Sequence, residues 1–466
     1  PEPGGSLLSR PAQIEGTPGA EWAASATAEL ESLDNVLLLR RTSVFGYYDH
    51  NYLMAVESRT DHLGPGRMPG VARKRLWHLR AERVVLATGA HDRPIVFGNN
   101  DLPGILLAGA ACTYAHRYGV SLGRAGVAFV NNDAGFRQAL DAQSGAKNLT
   151  HIVDARPQPD AALVARAKDL GVEVLAGHVV TTAHGGKRVA GLDVRSLAGG
   201  SERRLDCDHV IVSGGLNPVV HLYSQAPGQL AYDDALACFL PQRTVQAVEC
   251  AGAVRGCFTL ERVLADGASA GARTLASLGH RAEALPAAAR DDLRLARLWS
   301  VQATLGTDLP GKHFVDYQND VTERDIRLAA REGFRSVEHT KRYTTTGMAS
   351  DQGKTSNVIG LALLADALAK PIPEVGTTTF RPPFTPITFG ALAGRDLGAL
   401  SDPVRTTPIH PWHVAQGALF EDVGQWKRPW YFPKPGEDLH AAVKRETKAV
   451  RTTAGVMDAT PLGKID

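Results

Sequence analysis

The run AGVAFVNNDAGFRQALDAQSGAKNLTHIVDARP, residues 125–157, constrains the fold more than any other part of the chain. An apolar strand, a turn, a helix and a second strand follow one another without a break, the order in which a parallel α/β sheet is built. Asp154 then falls at roughly the spacing of a ribose-binding acid in a dinucleotide fold. The turn, however, is NNDAG where such a fold has GxGxxG. Asn131, Asn132 and Asp133 stand where glycines would let the backbone meet a pyrophosphate, and Asp133 adds like charge. A structural βαβ unit is the preferred reading, with a nucleotide site as the alternative.

The same alternation runs through the first 280 residues. NYLMAVESR and KRLWHLRA, parted by the Gly/Pro-rich HLGPGRMPG, are expected to pair as antiparallel strands. In RVVLATGAHDRP, Val84 to Leu86 are expected to form a buried strand, after which Thr88, Gly89 and Ala90 leave room for another backbone or a cofactor. HVIVSGGLNP supplies a further strand, and AGAVRGCFTLERVLADGASAGARTLASLG a glycine-rich turn with a long helix. The expected organisation is one dinucleotide-type domain over 1–120 with 246–280, and a second over 121–245. Residues 281–312, rich in Ala, Arg and Leu, are expected to form a helical connection. Residues 313–370 read as a small helical domain in which Thr322 and Asp325 make a capping box and Gly333 a stop. A Pro/Gly/Thr-rich linker over 371–405 leads to the start of another domain at 406–466.

GMASDQGKTSN, residues 347–357, is close to a phosphate loop, but five residues separate its two glycines where GxxxxGK[ST] has four. The polar EHTKRYTTT precedes it where that loop needs an apolar strand. The apolar NVIGLALLADALA that follows still predicts a helix whose N-terminus, at Gly353, Lys354, Thr355 and Ser356, suits an anion.

With 51 Lys plus Arg against 49 Asp plus Glu, the formal charge of +2 gives no reason to expect nucleic acid or an acidic membrane. The longest apolar run is short and broken by Asp366, and PEPGGSLLSR has no secretory pattern. Five cysteines without a CxxC pair point to a reducing, cytoplasmic setting. His91, His339, His410 and His413 lack companions at ligand spacing, so no metal is expected. Trp412, Trp426 and Trp430 read as core and interface anchors. No GxGxxG occurs, and both ends look cut: the chain opens just after the place of the fingerprint strand.

The succession ATGAHDRP, NNDAGFRQAL, AGAVRG, FVDYQNDVTERDIRLAAREGFRSVEHTKRYTTTGMASDQGKTSN and TPIHPWHVAQGALFEDVGQW resembles the α subunit of heterotetrameric sarcosine oxidase. The resemblance implies an α/β fold with two dinucleotide-binding domains of the FAD/NAD type. A small helical domain follows, and then the start of a domain similar to the glycine-cleavage T-protein. It further implies NAD in this chain, FMN shared with a β subunit, FAD in that β subunit, tetrahydrofolate, and γ and δ subunits as further partners. The implied reaction is oxidative demethylation of sarcosine to glycine, with peroxide formed and the one-carbon unit passed to folate. The small helical domain also looks like the iron-sulfur domain of opine and proline dehydrogenase subunits. Their four cysteines would fall near Asp316, Gln318, Asp351 and Ser356, none of which is cysteine. Alternatives are the α subunit of an opine, proline or cyanide-forming dehydrogenase, and a non-catalytic scaffold with structural NAD.

For NAD, the resemblance implies Gly4 and Gly5 after the missing fingerprint, Val44 near adenine, Thr88 and Gly89 beside the pyrophosphate, and Gly252 and Leu260 in the closing turn. For the phosphate and ribityl side of FMN it implies Arg342, Thr344, Thr345, Lys354, Thr355 and Ser356, where helix capping alone is the competing account. The carboxylate of the folate site is expected beyond Asp466.

Overall fold

The computed structural model describes residues 2–64, 68, 70–378, 380–395 and 398–462. The chain divides into two compact units, Pro1–Ile387 and Thr388–Asp466. At the centre of the first lies a five-stranded, all-parallel sheet in the order Glu173–Ala176, Leu149–Asp154, Gly126–Val130, His209–Ser213, Ile105–Leu107. Its strands Gly126–Val130 and His209–Ser213 are buried at every residue because both faces are covered. Val127, Phe129, Val210 and Val212 point to one face, against the antiparallel strands His178–Gly185, Val189–Ser196 and Arg203–Asp206. Ala128, Val130 and Ile211 point to the other, against Phe136 and Leu140 of the helix Asp133–Ala146. A one-residue slip would exchange the two sets, so the alternation fixes the register.

The helix Asp133–Ala146 starts where Asn132 Oδ1 accepts the Gly135 amide at 2.8 Å, and ends at Lys147 in the left-handed conformation. Asp160 caps Ala161–Asp169 in the same way, accepting from the Ala162 and Leu163 amides. The strands Thr42–Tyr48, Tyr52–Ser58 and Lys74–Arg80 form an antiparallel sheet with Tyr52–Ser58 in the middle, as their alternation predicts. Part of the connecting loop, residues 65–67 and 69, lies outside the described residues.

Two expectations for the first unit need correction. Val84–Leu86 is a strand, but only Leu86 is buried and Val85 is 42% exposed. It pairs with Val248–Cys250 alone, in a two-stranded parallel ribbon with too little cover for both faces. Residues 281–312 are not a helical connection: helix forms only at Val301–Leu305. Long-range bonds override helix propensity there. The Asp291 carboxylate accepts from the Thr259 amide at 2.7 Å and from the Phe258 amide, while Leu293 is buried with Leu236 and Leu240.

The helix Glu323–Arg331 has the anticipated capping box, with Asp325 Oδ2 accepting from the Thr322 amide at 2.8 Å. Asp325→Ala is expected to cost about 1 kcal/mol in urea unfolding, since the cap and a first-turn charge go together. Eight of the eleven residues of Asn357–Ala367 are buried, which makes this helix the core of its region.

In the second unit the strands Arg405–Thr406, Leu419–Val423 and Trp426–Tyr431 form a three-stranded sheet beside the helix Leu439–Thr452. Trp412 and Trp430 are not core residues there, being 54% and 51% exposed. Among the described residues no helix is long and apolar enough to cross a membrane.

Candidate functional site

The parallel pair Val84–Leu86 and Val248–Cys250 brings two predicted turns to one end. Thr88 and Gly89 follow the first strand and Gly252 the second, and the Ala251 amide donates to Leu86 O at 2.9 Å. Gly89 and Gly252 have φ of +80° and +75°, a conformation that L side chains rarely adopt. Thr88 Oγ1 donates to Val219 O at 2.7 Å. The buried Asp266 carboxylate accepts the Gly252 amide at 2.8 Å and pairs with Arg255, tying the turn to the helix Leu260–Ser277 that Leu260 opens. Val44 lies half-buried in Thr42–Tyr48. Gly4 and Gly5 form a separate turn on the helix Gly19–Glu31, so close that a Cβ on Gly4 would stand 3.0 Å from that of Ala23.

The NNDAG turn is covered by the chain itself. The Asp133 amide donates to Leu293 O at 3.1 Å, and Asn131 exchanges bonds of 2.9 and 2.7 Å with the backbone of Ala296. Arg156 clamps the arrangement: it binds both Asp154 oxygens, at 3.0 and 2.6 Å, meets the Asp133 carboxylate, and donates to Arg294 O at 2.8 Å. A carbonyl of residue 293 thus takes the amide that a phosphate would use in a nucleotide-binding turn.

The phosphate-side residues face several directions. Arg342 turns back along its own helix to Glu338, at 3.0 Å. Thr344 Oγ1 donates to Thr340 O, and Thr345, with φ of +66°, ends that helix. Ser356 is buried with its hydroxyl 3.5 Å from Asp316. Thr355 faces a cavity of about 470 Å³ that includes Asn100, Leu107, Val212 and Tyr317, beside the carboxyl ends of two adjacent strands of the central sheet. That is the side on which open parallel sheets take ligands.

Lys354 faces a different, smaller cavity of about 60 Å³, together with Asn217, His221, Asn357 and Phe384. Its ammonium lies 4.5 Å from the Phe384 ring, and the same ring stacks on His221 with centroids 3.5 Å apart. Burial, with Lys354 and then His91 alongside, pushes His221 down to about 3 from its ordinary 6.5. The unfolded chain therefore takes up this proton first as pH falls. The folded state is undiminished by this residue above pH 6.5 and loses stability from there towards pH 3. Between pH 7 and pH 4 the loss is expected to be about 3 kcal/mol greater than in His221→Phe, read from denaturant midpoints. Asn217 and His221 were missed from sequence, since no spacing relates them to Lys354.

Three of the four positions suggested for iron-sulfur cysteines, Asp316, Gln318 and Ser356, do come together around Asp316. Its carboxylate accepts the Gly347 amide at 2.7 Å and the Gln318 and Asn319 amides at 2.9 and 3.1 Å. Ser350 and Gln318 meet at 3.5 Å. An iron-sulfur cluster needs thiolates, and the five cysteines lie elsewhere, all buried, so these residues do not fit one.

Residues 310–395 match the sarcosine oxidase A3 domain, and residues 409–466 the GCVT N-terminal domain. The sarcosine oxidase subunit alpha of Corynebacterium sp. (strain P-1) is 45% identical over the whole of this chain and 49% of its own length. The subunit of the same name from Rhizobium meliloti (strain 1021) is 39% identical over the whole chain and 46% of its own length. The chain thus spans about half the length of the curated relatives it matches. Among solved structures, L-proline dehydrogenase from P. horikoshii superposes with a TM-score of 0.62 at 20% identity, over 84% of this chain and 72% of that one. The α/β class expected from the sequence, dinucleotide-type domains followed by a small helical domain and a T-protein-like start, is the one found.

Proposed function

The chain belongs to the family of sarcosine oxidase α subunits, and from that premise we propose that it works within a complex that demethylates sarcosine oxidatively to glycine. The observation that carries this reading is identity of 45% sustained over the whole chain. In this reading the chain joins β, γ and δ subunits in the cytoplasm and binds cofactors without holding the amine. NAD lies along the Thr88, Gly89 and Gly252 end of the parallel pair, with Gly4, Gly5, Val44 and Leu260 contributing. FMN, shared with the β subunit, meets the chain at Lys354 and Thr355, with Arg342, Thr344, Thr345 and Ser356 in support. Held there, the flavin would supply electron transfer between the β-subunit FAD and oxygen. The GCVT N-terminal match favours a folate site that receives the one-carbon unit.

The test is mass spectrometry of the groups released from the intact complex. NAD, FAD and FMN without iron are expected, with one NAD for each copy of this chain, because residues 293–296 cover the second dinucleotide turn. Iron with acid-labile sulfide would turn the reading towards the opine or proline dehydrogenase type. Turnover with sarcosine that survives removal of NAD, with no NAD reduced, makes that cofactor structural.

A further inference from the structure

We propose that the cavity beside Lys354 is a site for one small oxyanion, a carboxylate or phosphate group, held by the Lys354 ammonium and the Asn217 side-chain amide. Its 60 Å³ holds about two water molecules, the scale of a single such group. The sign of the charge follows from the lining. Neither Asp nor Glu lines the cavity among the described residues, and no carboxylate there pairs with Lys354. His221 is neutral, so the wall carries a net positive charge amid Val220, Leu361 and Phe384. A lone cation in apolar surroundings gains more from a counter-ion than an exposed one does.

The polar groups are also in place. Asn217 is 7% exposed; its Oδ1 accepts from Arg93 at 3.0 Å, and its Nδ2 has no protein partner. His221, equally buried, leaves Nδ1 unpartnered. A buried donor without a partner is costly, and an oxyanion would accept from Nδ2 and from the ammonium together. Water answers the orphaned atoms but leaves the charge unmatched.

Two sources share this chemistry, the phosphate of FMN and a free small carboxylate. The assignment goes beyond the flavin reading and stands whichever source fills the site. Formate and inorganic phosphate are titrated into the purified chain at constant ionic strength, following the His221 imidazole resonance, which is identified by its loss in His221→Asn. Saturable binding is expected, weakened about tenfold or more in Lys354→Met and in Asn217→Asp. The second variant keeps its Arg93 partner and its size while placing a negative oxygen in the cavity, so it reports even if Lys354→Met folds poorly. Displacement of formate by FMN identifies the flavin phosphate as the occupant; saturable formate binding that FMN leaves untouched identifies a free anion. No saturable binding, or equal binding by Asn217→Asp, overturns the proposal. Cofactor content of the complex is measured separately, so failure here and failure of the flavin reading are told apart.

Discussion

Arg156→Met is expected to destabilise the first unit by about 4 kcal/mol, among the largest effects of any single change in the chain. Arg156 sits 6% exposed between Asp154, which is wholly buried, and Asp133, at 3%. Burial pushes the Asp154 carboxyl up, and the bonds and charge of Arg156 pull it back down. Methionine has about the right volume but leaves two carboxylates out of water without their cation. Losing one partner of a buried pair costs more than losing the whole pair, because the charge left behind has no solvent. The same guanidinium holds Arg294 O, so the crossing segment should loosen as well. Denaturant unfolding measures the first effect, and faster trypsin cleavage at Arg294 or Arg297 the second. Wild-type stability with unchanged cleavage would show that the segment is held by Leu293 and Leu295 packing instead.

This clamp also marks how far the sequence could be read. Strand Gly126–Val130, the helix after it and the place of Asp154 were legible, because apolar periodicity and short spacing are local properties. What Asp154 does was not. A ribose-binding acid and one half of a buried ion pair look alike in sequence, and Arg156 becomes its partner only once the strand end turns back. The misread segment after residue 280 has the same cause. Its Ala, Arg and Leu favour a helix, yet Asp291, Leu293 and Ala296 are committed to amides, side chains and carbonyls far away in the chain. Residues Gly353 to Ser356, expected to suit an anion, were correctly set at a helix N-terminus, where Ser356 is the cap position. The division of their side chains among Asp316 and two cavities depends on packing around that helix. Asn217 and His221 could have been found only from the fold, since they reach Lys354 across more than a hundred residues of chain.

Arg93→Met is the second change expected to cost about 4 kcal/mol, and it reaches the proposed oxyanion site. Arg93, in the ATGAHDRP motif, is 1% exposed and is the largest fully buried side chain among the described residues. It donates to Gly214 O at 2.7 and 3.1 Å, to Ala237 O at 2.8 Å and to Asn217 Oδ1 at 3.0 Å, with its guanidinium 4.3 Å from the centre of the Trp299 ring. The five-donor fork fits this set of acceptors, whereas methionine fills the space and leaves Gly214 O, Ala237 O and Asn217 Oδ1 without it. The Gly214 carbonyl directly follows the strand His209–Ser213, so its release should reach the carboxyl end of the central sheet, while Ala237 precedes the strand Cys238–Arg243. Asn217 would lose the bond that fixes its side chain in the cavity wall. Formate binding should therefore weaken in Arg93→Met by about tenfold, at a temperature where the variant remains folded. Arg93→Lys separates the two consequences: a lysine keeps the charge but cannot span Gly214, Ala237 and Asn217 together. Its stability should fall nearly as far, by denaturant unfolding. A lysine variant as stable as wild type would mean that charge alone, without the fork, holds this junction.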